Sequence, residues 1–309
     1  MNTLTSFIAR SFLRIMWKMI GRNDAKRLAG QVPTPGVAGD RDIRYSDSGD
    51  SMHVLDVYYP EGTEGLLPVI VDIHGGGWIY GNKELNEYYC MSLASRGFAV
   101  VNISYRLLPQ TDLSGQVGDV FQALHWLGAN GADHHCDPDR VFLTGDSAGG
   151  HLASLAAAIC ADPQLGALYC VDRLPYTIKA VAATHTAPDV CGDLFGAKGI
   201  ATAISGDMKR MLFGADPEAN PIYGKSTIYT TADPETYPPI LVVTSEADPL
   251  YKHSAELIKY LEDKGFAHET AIADQNPDSG HVFNVTYPDR EDGKKMNDRI
   301  AMFFNAVNA

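Results

Sequence analysis

Apolar residues recur along the chain in two alternating patterns, one typical of buried strands and the other typical of helices. Short apolar runs such as 69–73 and 141–144 have the length and the continuous hydrophobicity of strands that are buried on both faces. Segments such as 115–127 and 250–264 instead place apolar residues on one face of a helix. The predicted strands are 42–45, 53–59, 69–73, 99–103, 141–144, 178–183, 240–244 and 268–273.

The alternation of strands and helices predicts an α/β fold with a mainly parallel, eight-stranded sheet that is covered by helices on both faces. The first two strands flank a turn at 48–50 and are predicted to form a hairpin. Further helices are predicted at 82–95, 148–159 and 294–307. We expect a single α/β domain over residues 1–309.

Two stretches do not fit this alternation. Residues 1–38 form a predicted helical arm with a proline-containing linker, and residues 188–236 form a predicted insertion above the sheet, with a short helical pattern at 208–213. Charges break the apolar run of the N-terminal helix too often for a transmembrane span or a signal peptide. It is either a basic amphipathic helix on a membrane surface or a helix that covers part of the protein, and we favour the second.

The composition restricts the classes of partner and the cellular compartment that the sequence predicts. The chain has 25 basic and 38 acidic residues and a formal charge of −13, which argues against a surface for nucleic acid. Its five cysteines include no C-x-x-C pair, so neither a disulfide framework nor a zinc site is expected. Idle thiols are typical of a reducing compartment, and we predict a cytoplasmic protein without a metal.

The strongest chemical signal is a G-x-S-x-G motif formed by Gly145, Ser147 and Gly149. It lies between a predicted strand and a predicted helix, which is the setting of a nucleophile elbow. A tight turn there holds the serine hydroxyl above the sheet, and the glycines keep the turn free of side chains. The helix that follows directs its N-terminal amides at the place where negative charge develops. Ser147 is therefore the predicted nucleophile.

A second motif, His74–Trp78, directly follows the predicted strand 69–73 and contains three successive glycines. The backbone amides of such a loop can converge on one point and stabilise the oxyanion of an acyl transfer. In lipases and esterases, an HGGG motif of this kind acts together with the amide after the nucleophile, which here belongs to Ala148. We interpret His74 itself as a hydrogen-bonding support of the loop.

In this arrangement, the nucleophile is followed along the chain first by a carboxylate and then by a histidine. Asp248 lies just past a predicted strand, and Glu246 is the alternative carboxylate. Three histidines come later: His253 within a helix, His268 at the start of a strand, and His281 in the loop between the last strand and the last helix. We therefore predict that Asp248 is the acid and that His281 is the base.

Together, these motifs resemble those of the hormone-sensitive-lipase-like branch of the α/β hydrolases. The resemblance spans roughly residues 50–285 and includes Tyr105–Pro109, where Leu108 replaces the usual alanine. The motifs that carry it are His74–Trp78, Gly145–Gly150, Asp248–Leu250 and Gly280–His281.

This resemblance implies an α/β-hydrolase fold in which Gly76 and Gly77 donate hydrogen bonds to the oxyanion. It also implies a helical cap, which residues 1–38 and 188–236 would form. One feature departs from the branch and bears on the substrate. His151 is more similar to acetyl xylan and feruloyl esterase relatives, and to kynurenine formamidases, than to typical members.

The sequence thus predicts a serine carboxylesterase that acts on a small-molecule ester with a short acyl group, such as acetyl, and needs no cofactor. Three alternatives stay open: a carbohydrate acetyl or feruloyl esterase, an arylformamidase with the same triad, and a membrane-associated lipase. A non-catalytic binding protein of this fold would usually lack part of the machinery. The oligomeric state also stays open, including a homodimer.

Overall fold

The computed structural model describes residues 17–192 and 200–308. Its strands are β1 (Val37–Arg44), β2 (Val54–Pro60), β3 (Leu67–Ile73), β4 (Ala99–Ile103), β5 (Cys136–Asp146), β6 (Ile178–Thr184), β7 (Ile240–Ser245) and β8 (His268–Ala273). They form one eight-stranded sheet in the order β1-β2-β4-β3-β5-β6-β7-β8.

The direction of the strands decides where a site can form. The hairpin of β1 and β2 and the pairing of β2 with β4 are antiparallel, and all other neighbouring strands run parallel. The prediction of a mainly parallel, eight-stranded α/β sheet is therefore confirmed. Because β3 to β8 run in the same direction, their carboxyl ends lie at one edge of the sheet, where sites of α/β proteins are built.

Helices cover both faces of this sheet. In residues 17–192 and 200–308, every helix is too short or too polar to span a bilayer. The helices are α1 (residues 17–28 of the described chain), α2 (Glu87–Ala94), α3 (Leu113–Asn130), α4 (Ala148–Ala161), α5 (Pro163–Leu168), α6 (Ile200–Phe213), α7 (Ile228–Thr231), α8 (Tyr251–Lys264), α9 (Phe283–Thr286) and α10 (Glu291–Asn308).

The sheet separates two hydrophobic clusters. Val69 and Val71 of β3 belong to the cluster that includes α3 and α4, whereas Ile70 belongs to the cluster that includes α2 and α10. Neighbouring side chains of a strand point to opposite faces, so both sets must be apolar when both faces are covered. This burial explains why the central strands appear in the sequence as continuous apolar runs.

Some bounds differ from the predicted ones. β5 begins at Cys136, well before the predicted strand 141–144, because its first, mostly polar residues pair with the start of β3. The predicted helix 82–95 divides into a 3₁₀ turn at Lys83–Asn86 and α2. The side chain of Asn86 turns inward to two buried carboxylates at this junction.

The two irregular stretches both contribute helices near the carboxyl edge of the sheet. In the described part of 188–236, α6 packs on α3 and α7 packs on α4, and α6 is longer than the predicted 208–213. The first part of the predicted N-terminal helix, residues 1–16, lies outside the described residues. The part within them, α1, places Trp17 in a stack with Tyr80, with 5.3 Å between the ring centroids.

Candidate active site

The predicted nucleophile lies at the centre of the carboxyl edge, between β5 and α4. Ser147 has φ of 51° and ψ of −115°, a conformation that is strained for a residue with a side chain. Its amide donates to Thr184 at the end of β6 (2.9 Å), and its carbonyl accepts from His151 in the first turn of α4 (3.2 Å). These bonds hold the turn in place, so the hydroxyl is carried by a rigid part of the fold.

The glycines of the elbow are required by close backbone approach. A Cβ on Gly149 would lie 1.8 Å from the carbonyl oxygen of Ile73 and 2.6 Å from that of His74. A Cβ on Gly145 would lie 2.5 Å from the backbone of Gly149. These distances are far below van der Waals contact, so the elbow can form only when both positions lack a side chain.

Replacing Gly149 with alanine is therefore expected to destabilise the fold by about 3 kcal/mol or more, because backbone on two segments would have to move. Chemical denaturation monitored by circular dichroism measures the change. Gly118→Ala in α3 is the matched control, since a Cβ there meets nothing within 4 Å. That control should leave stability unchanged or raise it by about 0.5 kcal/mol. Equal losses for the two variants would contradict this account of the elbow.

Asp248 and His281 lie side by side at the same edge. The Nδ1 atom of His281 is 3.0 Å from each carboxylate oxygen of Asp248. The amide of Leu250 donates to Oδ1 of the same buried carboxylate (2.7 Å). Burial opposes ionisation of Asp248, but hydrogen bonds from His185 and His281 outweigh it and lower the pKa of this carboxyl well below its ordinary value. The alternative carboxylate, Glu246, is exposed to solvent.

His185 also lies at this site, although no sequence motif marks it. This residue directly follows β6, and its Nδ1 atom is 2.5 Å from Oδ2 of Asp248. Asp248 therefore contacts two histidines, one from each neighbouring loop. The available signal was its position after a strand whose carboxyl end meets the site. A lone histidine after an apolar strand has no motif around it, so that signal was not decisive.

His185, Asp248 and His281 are also, within residues 17–192 and 200–308, the group of possible metal ligands whose atoms lie within 4.8 Å of one another. Zinc bound at about 2.0–2.1 Å in a tetrahedral site would separate its ligand atoms by roughly 3.3 Å. The observed separations of 2.5 and 3.0 Å are shorter and match hydrogen bonds. The cluster fits a proton-sharing network better than a metal centre.

The glycine loop lies beside the elbow. Gly76 and Gly77 have φ of 111° and 58°, values that favour glycine, and both line a cleft with Ser147 and His281. The amide of Gly75 is already engaged, because it donates to Oδ1 of Asp146 at 2.9 Å. All three glycines line the cleft, and the first also attaches the loop to Asp146 at the end of β5.

The base of the loop is fixed by His74 and its neighbours. The Nδ1 atom of His74 lies 2.7 Å from the carbonyl oxygen of Gly75. Tyr105 stacks on the imidazole at 4.4 Å between centroids and donates its hydroxyl to the His74 carbonyl (2.8 Å). Burial lowers the pKa of His74 to about 4, so the ring is neutral near pH 7. His74 supports the loop from within the fold.

His151 has a similar supporting position. Trp78 donates its indole N–H to Nδ1 of His151 (3.3 Å), and Nε2 of the same ring donates to the carbonyl oxygen of Ser226 (2.7 Å). Burial lowers the pKa of His151 to about 4, which keeps the ring neutral and able to make both contacts. The ring thus joins the glycine loop, α4 and the segment 188–236.

Two buried carboxylates lie beneath the loop. Asn86 donates to Oδ2 of Asp72 (2.9 Å) and to Oδ1 of Asp146 (2.8 Å). Burial, with a further contribution from the charge of Asp146, raises the pKa of Asp72 to about 8. Asp146 also accepts a hydrogen bond from the Gly75 amide. The ionised form is therefore better stabilised at Asp146, and the protonated form is favoured at Asp72.

The Asp72 carboxyl makes stability depend on pH in a defined direction. The unfolded chain releases this proton near the ordinary value of 3.8, and the folded chain retains it until about 8. Between these values the native state binds more protons, so the free energy of unfolding falls as pH rises. Asp72→Asn should remove this loss and raise Tm at pH 8 by about 3 °C, with a smaller gain at pH 5. Calorimetry at both pH values measures this, and the exposed Asp139→Asn serves as the control.

A gain from Asp72→Asn that did not increase with pH would contradict a retained proton at Asp72.

The Ser147 cleft, as we call the space between the elbow, the glycine loop and α1, has a volume of about 200 Å³. This volume is below the roughly 300–1,000 Å³ of typical ligand pockets. Tyr80 donates its hydroxyl to Asp24 of α1 (3.1 Å), which ties the helix to the glycine loop. The described residues around the cleft include Trp17, Ile20, Gly76, Gly77, Ser147 and His281.

The chain is similar to known esterases over most of its length. The BD-FAE family model matches residues 55–261. Esterase B from Lactobacillus rhamnosis has a solved structure that is 31% identical, with 97% of each chain covered and a TM-score of 0.92.

Two curated proteins of Mycobacterium tuberculosis are also similar. The probable carboxylic ester hydrolase LipM is 40% identical over 44% of this chain and 34% of its own length. Esterase LipQ is 28% identical over 89% of this chain and 66% of its own length. The chain therefore spans less than two thirds of the length of these relatives.

The matched model covers more than half of the chain, and Esterase B aligns with nearly all of it. The chain therefore belongs to the BD-FAE family, among the hormone-sensitive-lipase-like esterases of the α/β hydrolases.

Proposed function

We propose that this protein is a serine carboxylic-ester hydrolase that acts on short acyl esters through an acyl-enzyme intermediate. The observation that carries the proposal is the position of Ser147 and His281 on one cleft, with Asp248 hydrogen-bonded to the far nitrogen of the imidazole. Because Nδ1 of His281 donates to the carboxylate, Nε2 is the nitrogen that accepts a proton.

In the first step, His281 takes the proton of the Ser147 hydroxyl as its oxygen attacks the ester carbonyl. Asp248 orients the imidazole and stabilises its charged form. The tetrahedral intermediate expels the alkoxide, to which His281 returns the proton. Water then attacks the acyl-enzyme with His281 again as the base, and the carboxylic acid leaves with Ser147 restored. The catalytic groups in these steps are side chains and backbone amides of the protein.

The oxyanion is assigned to three backbone amides, those of Gly76, Gly77 and Ala148. The first two belong to the loop whose glycines line the Ser147 cleft. Ala148 is the first residue of α4, so its amide has no intrahelical acceptor and lies at the positive end of the helix dipole. Donors that are fixed before reaction are worth about 10²–10³ each in kcat.

The small volume of the cleft favours short acyl groups, and Trp17 of α1 lines it opposite the glycine loop. A Cβ on Gly77 would lie 2.8 Å from the Trp17 ring, which shows how little space separates the two. The similar Esterase B has been solved in a form inhibited by a tributyrin phosphonate. We propose that residues 1–38 and 188–236 form the cap over this site.

A panel of p-nitrophenyl esters tests the proposal. We expect the highest kcat/KM for acetyl to butyryl esters and a loss of at least about tenfold for decanoyl, since each misfit methylene costs about 1–3 kcal/mol in a closed pocket. Acetylated xylan and N-formylkynurenine belong in the same panel. A maximum at decanoyl would contradict the short-acyl assignment, and a preference for N-formylkynurenine would make the protein a formamidase.

A further inference from the structure

The proposed mechanism gives no role to His185, a buried histidine in direct contact with the Asp248 carboxylate. His185 is fully buried, and its Nδ1 atom lies 2.5 Å from Oδ2 of Asp248. Its other nitrogen, Nε2, is also buried and has no hydrogen-bond partner among residues 17–192 and 200–308. A buried polar atom without a partner costs free energy, so another property of this position must offset the cost.

The protonation of His185 follows from its surroundings. Burial lowers its pKa, and the hydrogen bond and charge of Asp248 oppose that effect without reversing it. A neutral imidazole carries one N–H, and the carboxylate at Nδ1 can only accept. The proton is therefore on Nδ1, and His185 is a permanent donor to Oδ2 while Nε2 stays bare.

The contacts of Asp248 show what this donor does. Leu250 donates its amide to Oδ1 (2.7 Å), and His185 donates to Oδ2 (2.5 Å). His281 approaches both oxygens equally, at 3.0 Å. Each of the two fixed donors binds one oxygen, and together they set the rotation of the carboxylate plane. This rotation determines how the two oxygens are oriented toward Nδ1 of His281.

The fold holds His185 firmly in this place. Its φ is 48°, which is strained for a residue with a side chain, and its amide donates to the carbonyl oxygen of Val243 at 2.7 Å. Its ring makes edge-to-face contacts with His281 (5.8 Å between centroids) and Phe283 (5.5 Å). Strain of this kind persists only where the surroundings fix the residue, and it is common at functional sites.

We propose that His185 is a positioning residue, which holds the Asp248 carboxylate in the orientation that His281 needs by means of a second, permanent hydrogen bond. This inference rests on the proposed esterase function. The bond also withdraws negative charge from the carboxylate and so limits how strongly Asp248 retains a proton on His281.

The direction of the pH effect follows from these contacts. The titratable groups that act on His185 are Asp248, His281 and Asp146 at the end of β5. Without the His185 donor, Asp248 would stabilise the charged form of His281 more strongly. We therefore expect the acid limb of the kcat/KM profile to lie at higher pH when this donor is removed.

Two substitutions separate the donor from the volume of the side chain. His185→Leu removes the donor, and His185→Asn keeps an N–H near the position of Nδ1. We expect His185→Leu to move the acid limb up by about one pH unit and to lower kcat by about tenfold, with KM little changed. His185→Asn should return kcat to within about threefold and restore the acid limb. Both are measured with p-nitrophenyl acetate between pH 5 and 9.

A folded His185→Leu enzyme with an unmoved acid limb would overturn the proposal, as would an Asn variant that behaves like the Leu variant. If His185→Leu fails to fold, ¹H–¹⁵N spectra of the wild-type histidine rings decide. The spectra should show a neutral His185 ring with its proton on Nδ1. The signals of His185 are assigned as those that disappear in the His185→Asn variant. A proton on Nε2 would refute the proposed role. If the wild type itself hydrolyses no ester, the proposed function fails instead, independently of His185.

Discussion

Replacing Ser147 with alanine is expected to lower kcat for p-nitrophenyl acetate by about 10⁶, to the level that binding and oxyanion stabilisation alone support. In the proposed mechanism the hydroxyl oxygen forms the acyl bond, so we expect that no neighbouring group can substitute for it. The fold should survive, because alanine retains the Cβ and the elbow is held by backbone bonds to Thr184 and His151. Steady-state kinetics with active-site titration of the wild type measures the loss.

Ser154→Ala is the matched control for this change. Ser154 is a buried serine of α4, and its hydroxyl donates to the carbonyl oxygen of Gly150 within the same helix (2.8 Å). Its loss should leave kcat within about twofold and cost roughly 1 kcal/mol of stability. A Ser147→Ala enzyme with near-normal turnover would refute the serine mechanism, and with it the proposed function.

The second large effect is expected from Asp248→Asn, with a fall in kcat of about 10⁴. The asparagine amide can present an N–H to Nδ1 of His281, which would favour the tautomer with its proton on Nε2. That nitrogen could then no longer accept the proton of Ser147. The Nδ1–H group of His185 could likewise meet the NH2 group of the asparagine in place of a carboxylate oxygen, and its hydrogen bond would then be lost. The pH profile of kcat/KM, measured up to pH 10, should show that higher pH restores only part of the activity.

Glu246→Gln is the matched control, because Glu246 is the alternative carboxylate of the same loop and is exposed. It should retain kcat within about twofold. If Glu246→Gln lost about 10⁴ and Asp248→Asn did not, the acid would have to be reassigned to Glu246.

Several buried contacts near the site are made by residues that belong to no sequence motif. Asp72 and Asp146 lie close together only because β3 and β5 are neighbours in the sheet, and the Asn86 side chain donates to both. His151 was interpreted from the sequence as a sign of substrate class. In the structure, its ring is hydrogen-bonded to Trp78 and to Ser226 and so joins the glycine loop to the segment 188–236.

The sequence by itself determined the α/β class, the strand rhythm and the local turns, because these depend on spacing over a few residues. Gly145, Ser147 and Gly149 are close in the chain, and the steric demand of the elbow appears directly in their order. The tertiary structure alone decided which distant groups meet. His185 and Asp248 are far apart in sequence, and only the adjacency of β6 and β7 brings a second histidine to the carboxylate beside His281.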